Sequence, residues 1–436
     1  MMRSNPIRRL FTLAFALLAL GAAADVTIEV TGTGAQQLPV AVAGFNGEVG
    51  VATPLSPIIR ADLDRSGRFK LVDTGGAAPA ADGPPADLGS WKTKGADALV
   101  IGDVHAEADG GAIVRMRLYD TLSGKLINGV QLHARPDELR RAAHQLADVI
   151  YESLTGERGV FETRIAFVVK KGKRYELQVA DADGYNPQMV FGSNEPIMSP
   201  TWATDGRRIA YVSFERQKPI VFVQDVFSGA RHAAAAFKGS NSAPAFSPDG
   251  NTLAVTLSLD GISQIYLVDV NGGEPRRLMR TPAIDTESSF SPDGQSIAFT
   301  SDRGGSPQLY LTSARGGDAQ RLTFDGSYNV TPRFSADGKT IAYIRRDGGR
   351  FGVAVLDVAS RQSLSLTDGP ADESPTFAPN GKLILYATEV GGRGVLAMVS
   401  SDGRVRQRLS TQGDVREPAW GPFPSQLPMT RLSSNP

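Results

Sequence analysis

The residue types that carry covalent and metal chemistry are scarce in this chain of 436 residues. It has no cysteine, which excludes disulfides, thiolate catalysis and zinc–thiolate sites. A G-x-S-x-G nucleophile elbow is also missing, so no hydrolase of that type is predicted. We expect structural or surface roles for the histidines, because no two of them stand at a spacing that would share a metal ion. The four histidines are His105, His133, His144 and His232.

Two further segments look like binding motifs but are better explained as turns. Gly338-Lys339-Thr340 ends like a phosphate loop, but Arg333 stands where that loop requires its first glycine. Asp181-Ala182-Asp183-Gly184 begins like a calcium loop and lacks the later ligands. We therefore predict no catalytic residue, no metal ligand and no cofactor from the sequence.

The strongest pattern in the chain is a repeat that fills its second half. From residue 200 onward one phrase recurs: Pro, any residue, an aromatic, a small residue, a variable residue, Asp-Gly or Asn-Gly, and an apolar triplet. A fixed period of this kind is the sequence signature of a repeat architecture. The aromatic residues are Trp202, Phe246, Phe290, Phe334, Phe377 and Trp420, at steps of 44, 44, 44, 43 and 43.

Each repeat unit is interpreted as four short strands. The aromatic phrase predicts the first strand, and Ser-Pro-Asp-Gly predicts a tight turn after it. The apolar triplet, an alternating segment and a short strand after a Gly-rich turn predict the other three. Four strands in about 44 residues is typical of a β-propeller blade, so the repeats predict six four-stranded blades.

The two ends of the repeat array predict how the ring closes. Residues 165–168 look like a second strand that has no first strand before it, and residues 418–421 look like a first strand with no second. The C-terminal segment is therefore expected to complete the blade that the chain entered first. Closing the ring in this way removes free sheet edges.

The first half of the chain predicts a separate domain with both helices and strands. Helical spacing predicts helices over Leu55–Ser66 and from Pro136 to Gly156. Alternating or apolar runs predict strands at 25–30, 38–44, 69–72, 98–104, 113–119 and 125–132. The predicted fold is thus an N-terminal α/β (α+β) domain over 25–157, a six-bladed β-propeller over 158–422 and a tail over 423–436.

The N-terminus has the features of an export signal over residues 1–24. Three arginines precede an apolar run at 10–20, and Ala22-Ala23-Ala24 predicts cleavage after Ala24. Eleven apolar residues are too few to span a bilayer, which needs about 20. The mature chain has 43 basic and 46 acidic residues, so binding to nucleic acid through a basic surface is not expected. We expect an exported protein without direct membrane insertion.

Binding is the function class that the sequence favours. The segments from each fourth strand into the next first strand should open on one face of the propeller, around its channel. They vary from repeat to repeat while the turns do not, which is where specificity would lie. For individual residues, a role as a solvated connector remains open.

The whole chain from Asp25 to Pro422 resembles the TolB family of the Tol–Pal system. The signal, the α/β domain and the six repeats occur in the order and length of that family. The repeat alone is shared with many exported propellers, whereas stretches of the first half match this family specifically. These stretches are Trp91, the segment 95–102, and the domain joint at 151–159. The segment 241–248 is also similar.

The resemblance implies a non-enzymatic, monomeric bridging protein of the periplasm. In the family the propeller entrance binds the peptidoglycan-associated lipoprotein Pal, and the mature N-terminus binds the inner-membrane protein TolA. The Pal-facing candidates are Asn241, Ala243, Thr286, Glu287, Tyr328, Asn329, Glu373 and Glu417. The TolA-facing candidates are Asp25, Val26, Thr27, Ile28, Glu29, Val30 and Thr31. Ser240 replaces a histidine that some members carry.

Two other function classes remain open at this level. Exported propellers include hydrolases and lyases, which need a nucleophile or a metal-ligand cluster that this sequence does not show. A peptidoglycan-binding module would need exposed aromatic residues on the channel loops, where only Tyr328 qualifies. For the bridging function, an alternating N-terminal strand could add to the edge of a partner's sheet, and we hypothesise that Pal binding is coupled to its release.

Overall fold

The computed structural model describes residues 28–30, 37–75, 87–409 and 411–432. The predicted export signal over 1–24 lies outside these residues, as do Asp25, Val26, Thr27 and Thr31. Strand β1 (Ile28–Val30) is described by its backbone. Within the described residues, no helix has the length and apolar character needed to cross a membrane.

The first half of the chain folds around a six-stranded mixed sheet in the order β3-β2-β4-β5-β6-β31. Strand β2 pairs in parallel with β3 and β4, and the remaining pairs are antiparallel. The strands are β2 (Leu38–Val42), β3 (Phe69–Val72), β4 (Ala98–Ala106), β5 (Ala112–Asp120), β6 (Leu126–Ala134) and β31 (Met429–Arg431).

Helices cover both faces of this sheet. Helices α1 (Ser56–Arg65) and α3 (Leu139–Thr155) share one core with the sheet, and the short α2 (Leu88–Thr93) packs Trp91 on the other face. Single 3₁₀ turns occur at Glu48–Gly50 and Pro136–Glu138. Helix α3 follows the Pro136 turn and ends at Gly156, whose φ of 74° is the left-handed conformation that glycine adopts without strain.

The second half forms six antiparallel blades of four strands each, as the repeats predict. The first strands are β10 (Ile197–Trp202), β14 (Asn241–Phe246), β18 (Asp285–Phe290), β22 (Tyr328–Phe334), β26 (Glu373–Phe377) and β30 (Asp414–Trp420). The second strands are β7 (Arg164–Lys171), β11 (Arg208–Ser213), β15 (Thr252–Leu257), β19 (Ser296–Ser301), β23 (Thr340–Asp347) and β27 (Leu383–Val390). The third strands are β8 (Arg174–Asp181), β12 (Ile220–Asp225), β16 (Gln264–Asp269), β20 (Gln308–Ser313), β24 (Arg350–Asp357) and β28 (Arg393–Ser400). The fourth strands are β9 (Gln188–Ser193), β13 (Arg231–Ala235), β17 (Arg276–Arg277), β21 (Gln320–Arg321), β25 (Ser363–Ser365) and β29 (Val405–Arg408).

The ring closes through the blade that the chain enters first, and this prediction is confirmed. Strand β30 pairs with β7, so that Trp420 lies opposite Ile165 and Val415 lies opposite Val169. The Trp420 indole N–H donates to Thr163 Oγ1 at 2.8 Å. The last strand of the propeller thereby fills the edge that the first would otherwise expose.

Three short elements differ from the sequence-based expectations. The N-terminal strand is expected in the sheet of the α/β domain, but β1 pairs antiparallel with β29 of the propeller. It thereby becomes the fifth and outermost strand of the blade that contains β26–β29. The sixth strand of the N-terminal sheet is β31, which comes from the expected tail and covers the edge of β6. Helix α2 was not predicted at all. Each element has only three to six residues, too few for a periodic signal.

The α/β domain packs on one end of the propeller, which we call the junction face. This face carries the turns between first and second strands and between third and fourth strands. The Asn380 amide donates to Arg158 O at 2.9 Å, and Lys382 pairs with Glu157 at 2.9 Å. The tail also crosses this joint, since the Gln145 side chain binds both the N–H and the C=O of Leu427. The opposite end of the propeller carries the loops between fourth and first strands.

The chain between the domains is held by one buried carboxylate, Asp148. Its two oxygens accept the N–H groups of Phe161 at 2.7 Å and Glu162 at 3.1 Å. Gly159 passes so close that a Cβ there would lie 2.2 Å from Asp148 Oδ1, so no other residue fits without a shift. Burial raises the pKa of Asp148 to about 7, although these N–H groups lower it.

The pKa of Asp148 predicts a pH-dependent contribution to stability. A carboxyl whose pKa is raised on folding stabilises the native state fully below about pH 4, and this contribution is lost as the pH rises through about 7. Asp148→Asn cannot titrate, so the difference in unfolding free energy between wild type and variant should shrink by roughly 2 to 4 kcal/mol between about pH 4 and pH 8. Urea denaturation at several pH values measures it.

Asp120→Asn provides the control, because hydrogen bonds from the backbone and side chain of Ser123 lower the pKa of Asp120. The stabilising contribution of Asp120 is present above its ordinary pKa and is lost as the pH falls. The difference in unfolding free energy between wild type and Asp120→Asn should not shrink as the pH rises. If the difference in unfolding free energy between wild type and Asp148→Asn stays constant with pH, the carboxyl of Asp148 keeps an ordinary pKa.

Candidate functional site

The end of the propeller opposite the α/β domain is the candidate binding surface, which we call the entrance face. It comprises the fourth-to-first loops and the first residues of the six first strands. Residues that stand before the repeat phrase, such as Met198 and Asp285, already pair with the second strands and so belong to the first strands. The segments surround the channel and are reached without crossing the α/β domain.

Every first strand contains a β-bulge at the same place. The register of each first strand against its second strand shifts there by one residue. The bulged residue has a φ between 46° and 58°, although it is never a glycine. A bulge re-aims the backbone, and a left-handed non-glycine residue is a local strain that concentrates at functional sites. These residues are Ser199, Ala243, Glu287, Thr331, Ser374 and Glu417.

Two of the six bulged residues are glutamates that bind the neighbouring blade. Glu287 Oε2 accepts the N–H of Thr331 at 2.9 Å and the hydroxyl of Thr300 at 3.0 Å. Glu417 Oε2 accepts the N–H of Ser199 and the hydroxyl of Ser374, both at 3.2 Å. Each carboxylate thus takes an N–H that the next bulge has freed from its ladder. The two glutamates belong to blades on opposite sides of the ring.

Arg333 brings a positive charge to the same region, and the sequence analysis gave it no role. It lines a cavity of about 100 Å³ together with Glu417, Trp202 and Trp420. Burial lowers the pKa of the Arg333 guanidinium, and the charges of Glu287 and Glu417 raise it. Burial likewise raises the pKa of Glu417 to about 6, with a further increase from Glu373 and a decrease from Arg333. The channel therefore holds one arginine whose positive charge faces two acids, Glu287 and Glu417.

Removing the arginine should destabilise the protein in a pH-dependent way. Without Arg333, Glu417 loses its nearby cation, so its pKa rises further and its charged form becomes more costly. Arg333→Ala should lower the unfolding free energy by about 1 to 3 kcal/mol at pH 7.5, and by less at pH 5, where Glu417 takes up a proton. Thermal melts at both pH values test this.

The exposed Arg346 on β23 gives the matched control for Arg333→Ala. Arg346→Ala should change the melting temperature little at either pH, since exposed charges contribute little to stability. A cost of Arg333→Ala that is equal at pH 5 and pH 7.5 would contradict the coupling between Arg333 and the two acids.

Two of the predicted contact residues, Asn241 and Asn329, are fully buried. The Asn241 side chain donates to Phe237 O at 2.9 Å and accepts the N–H of Phe237 at 2.8 Å. Asn329 donates to Gln308 Oε1 and to Asp325 O, both at 2.8 Å. In the free protein both side chains hold the preceding loop in place instead of facing solvent. Asp285 and Asp372, at the same repeat position, bind Thr281 and Thr367.

The other predicted contact residues lie at the entrance face and are partly exposed. They are Ala243, Thr286, Glu287, Tyr328, Glu373 and Glu417. Tyr328 packs edge-on against Phe351. The hydroxyl oxygens of Thr286 and Thr256 lie 3.2 Å apart and share a hydrogen bond. Glu373 lies 3.6 Å from the Arg416 guanidinium, and burial raises its pKa while Arg416 lowers it. Whether these residues touch a partner stays a prediction.

Apolar side chains that sequence reasoning missed flank this ring of residues. Phe324 is 61% exposed and Ile284 is 49% exposed, and both lie in loops between a fourth and a first strand. The repeat phrase gives no signal for them, because the loops are its variable part. Arg333 could have been found by aligning the repeats, since the other five repeats have Thr201, Ala245, Ser289, Thr376 and Ala419 at that position.

Three of the four histidines make local contacts only. His105 and His133 are exposed beside Asp103 and Glu107, and His232 bonds to Val270 O at 2.9 Å. The described residues contain one group with the composition of a metal site, formed by Asp62, His144 and Asp183.

This group is already neutralised by the protein. Arg65 pairs with Asp62 and Arg140 pairs with Asp183, so arginines occupy the carboxylates that a metal ion would need. The cluster joins helices α1 and α3 to the propeller turn after β8. We therefore interpret it as a set of ion pairs that holds the two domains together.

Comparisons with known proteins cover both halves of the chain. Residues 151–424 match the family described as the TolB beta propeller domain, and residues 26–127 match the TolB amino-terminal domain. The Tol-Pal system protein TolB of Aromatoleum aromaticum is 55% identical over 95% of this chain and 98% of its own length. That of Bordetella pertussis is 53% identical over 92% of each chain. The crystal structure of TolB from Acinetobacter baumannii superposes with a TM-score of 0.84 at 39% identity, covering 92% of this chain and 100% of that one.

Proposed function

The chain belongs to the TolB family of Tol-Pal system proteins, and we propose that it acts in the periplasm as a bridging protein without enzymatic activity. In this proposal the propeller binds the peptidoglycan-associated lipoprotein Pal, and residues 25–31 bind TolA. The protein then links the inner membrane, the peptidoglycan and the outer membrane. The link serves outer-membrane integrity and the invagination of the outer membrane during cell division.

The observation that carries the Pal side is the entrance face, which no described part of the α/β domain or the tail covers. The α/β domain and the tail cover the junction face, whereas the six bulged first strands open at the other end. Partly exposed polar residues such as Thr286 and Tyr328 lie next to the exposed Phe324 and Ile284. An apolar anchor beside polar groups that fix orientation is typical of protein interfaces. Asn241 and Asn329 support this surface from below by holding its loops.

The TolA side rests on the backbone of β1. Strand β1 is the edge strand of its five-stranded sheet: one of its edges pairs with β29, and the other pairs with no strand among the described residues. An extended segment with free backbone groups can add to the sheet of a partner. Because the contact with β29 involves three residue pairs only, Ile28–Val30 can leave the propeller at low cost.

The same sheet offers a path for coupling between the two partners. Its innermost strand, β26, begins at Glu373 on the entrance face, and its outermost strand is β1. We propose that Pal, bound at the entrance, shifts this blade and changes the availability of residues 25–31. The test is the affinity of the mature protein for TolA with and without saturating Pal. A change of threefold or more supports the coupling, and equal affinities would sink it.

A further inference from the structure

A cavity of about 460 Å³ lies at the joint between the two domains and has no role in the proposed bridging function. Helix α3 supplies one wall, the first residue of β7 and two turns of the propeller supply others, and the tail at Pro422–Ser425 passes along it. The size is within the range of small-molecule sites. Its position makes any ligand a contact of both domains at once.

The charged groups around this cavity are paired except for one. Each of its acids, and two of its arginines, has an ionic partner of opposite sign among the residues that the structure describes, which cancels their charges. These pairs are Asp137–Arg135, Glu162–Arg141, Asp181–Arg140, Asp205–Arg208 and Asp225–Arg207. Arg164 alone among the arginines lining the cavity has no carboxylate within ion-pairing distance in the described part of the chain.

Arg164 keeps most of its hydrogen-bonding capacity. Its Nη2 donates to Gly206 O at 3.0 Å, which uses one of the five N–H donors of a guanidinium. Burial lowers the pKa of Arg164 and Asp181 raises it, while the group stays charged at any physiological pH. A guanidinium that is half buried, without a carboxylate and facing a cavity is an incomplete anion site.

Aromatic rings flank the same guanidinium. Its carbon lies 4.9 Å from the centre of the Phe227 ring and 5.5 Å from that of Trp202. Phe227 is 62% exposed, and Arg207 packs against the ring at 5.1 Å. These rings hold Arg164 in place and offer an apolar face next to it.

A buried imidazole supplies the second independent observation. His144 lines this cavity and is only 2% exposed. Its Nδ1 donates to Asp62 Oδ2 at 2.6 Å, but its Nε2 has no hydrogen-bond partner and lies 3.8 Å from Asp181 Oδ2, too far for a hydrogen bond. A buried polar atom without a partner is uncommon in a native protein and indicates a missing ligand or water.

We propose that this cavity binds a small monoanion that carries a carboxylate and an apolar face. The carboxylate takes the free N–H groups of Arg164, and the apolar part packs on Phe227 and Trp202. The cavity is lined by α3, the propeller and the tail, so the ligand stabilises the arrangement of the two domains.

Calorimetric titration of the mature chain at constant ionic strength tests the site, with benzoate, acetate and inorganic phosphate as probes. Benzoate should bind saturably with a Kd on the order of 1 mM or below. Acetate should bind several-fold more weakly, since it lacks the apolar face. Arg164→Gln should reduce the benzoate affinity at least about tenfold, because it removes a charge-assisted pair. Arg207→Gln, at the same cavity and the same ring, should change it less than about twofold because Asp225 already pairs with Arg207.

Three results would overturn the proposal. They are the absence of saturable benzoate binding, equal losses in the two glutamine variants, and tighter binding of phosphate than of benzoate. A thermal melt without ligand shows whether Arg164→Gln is folded. Arg164→Lys keeps the charge without the planar fork and should lose part of the affinity, so it decides the question if the glutamine variant does not fold.

Discussion

Phe324→Asp is expected to weaken the binding of Pal at least about hundredfold. Phe324 is 61% exposed in a loop of the entrance face and lies beside the polar residues that we assign to the interface. Burying an aspartate where the aromatic side chain is proposed to pack would replace a favourable apolar contact by an unpaired charge, which costs about 3 kcal/mol or more. Isothermal titration of the mature variant with soluble Pal measures the effect.

Phe227→Asp is the matched control for Phe324→Asp. Phe227 is the same residue type, is 62% exposed and lies in a propeller turn on the junction face. Its replacement should leave the affinity for Pal within about twofold, because no Pal contact is proposed there. Equal losses in the two variants, or no loss in Phe324→Asp, would place the Pal surface elsewhere.

Ending the chain before Asp414 is expected to abolish the stable propeller. The truncation removes β30 and leaves β7 as an open edge. It also removes Trp420 and Val415, which are buried in the core of the closing blade. Loss of a buried tryptophan alone lowers the free energy of unfolding by about 3 to 5 kcal/mol. Loss of the whole strand is expected to exceed the total stability of a typical domain. Thermal unfolding should show no cooperative transition above room temperature.

Ending the chain after Pro424 separates ring closure from the role of the tail. This variant keeps β30 and loses β31, so the ring stays closed while the joint to the α/β domain is weakened. It should unfold cooperatively at a lower temperature than the full chain. Adding a peptide of residues 411–424 should restore part of the stability of the shorter variant. If the chain that ends before Asp414 unfolds cooperatively at the temperature of the full chain, β30 does not close the ring.

The repeats made the propeller predictable down to the blade that closes it. Aromatic residues such as Trp202 and Phe246 recur at a constant step, and the turn residues after them have few alternative conformations. Because Ile165 and Trp420 belong to incomplete repeats at opposite ends, their pairing follows from counting strands. The family resemblance, first seen at Trp91 and at the joint over 151–159, is confirmed by the relatives that match both halves.

The sequence could not give the places of β1 and β31. Alternation over Asp25–Val30 predicts a strand, but any free sheet edge would satisfy its backbone. Side-chain contacts far along the chain decide the edge for β31, where Gln145 binds the backbone of Leu427. Such long-range contacts leave no mark on local periodicity.

The channel shows the same limit for individual side chains. Asn241 is a predicted contact residue because of the family resemblance, and the resemblance gave no sign that its amide binds the backbone of Phe237 and is fully buried in the free protein. Only the three-dimensional closure of the ring brings Glu287 and Glu417 into range of Arg333. The bulges, too, depend on pairing between strands. Their residue types range from alanine to glutamate, and their constant place before the proline position of the repeat phrase marks a position without indicating a bulge.

The most direct test of the bridging function is a two-partner capture with the purified mature chain. Immobilised Pal should retain the protein, and the protein should in turn retain soluble TolA that Pal alone does not hold. A chain lacking residues 25–31 should still bind Pal within about twofold and should retain no TolA. Failure of the intact chain to bring TolA to immobilised Pal, or retention of TolA by the shortened chain, would contradict the proposal.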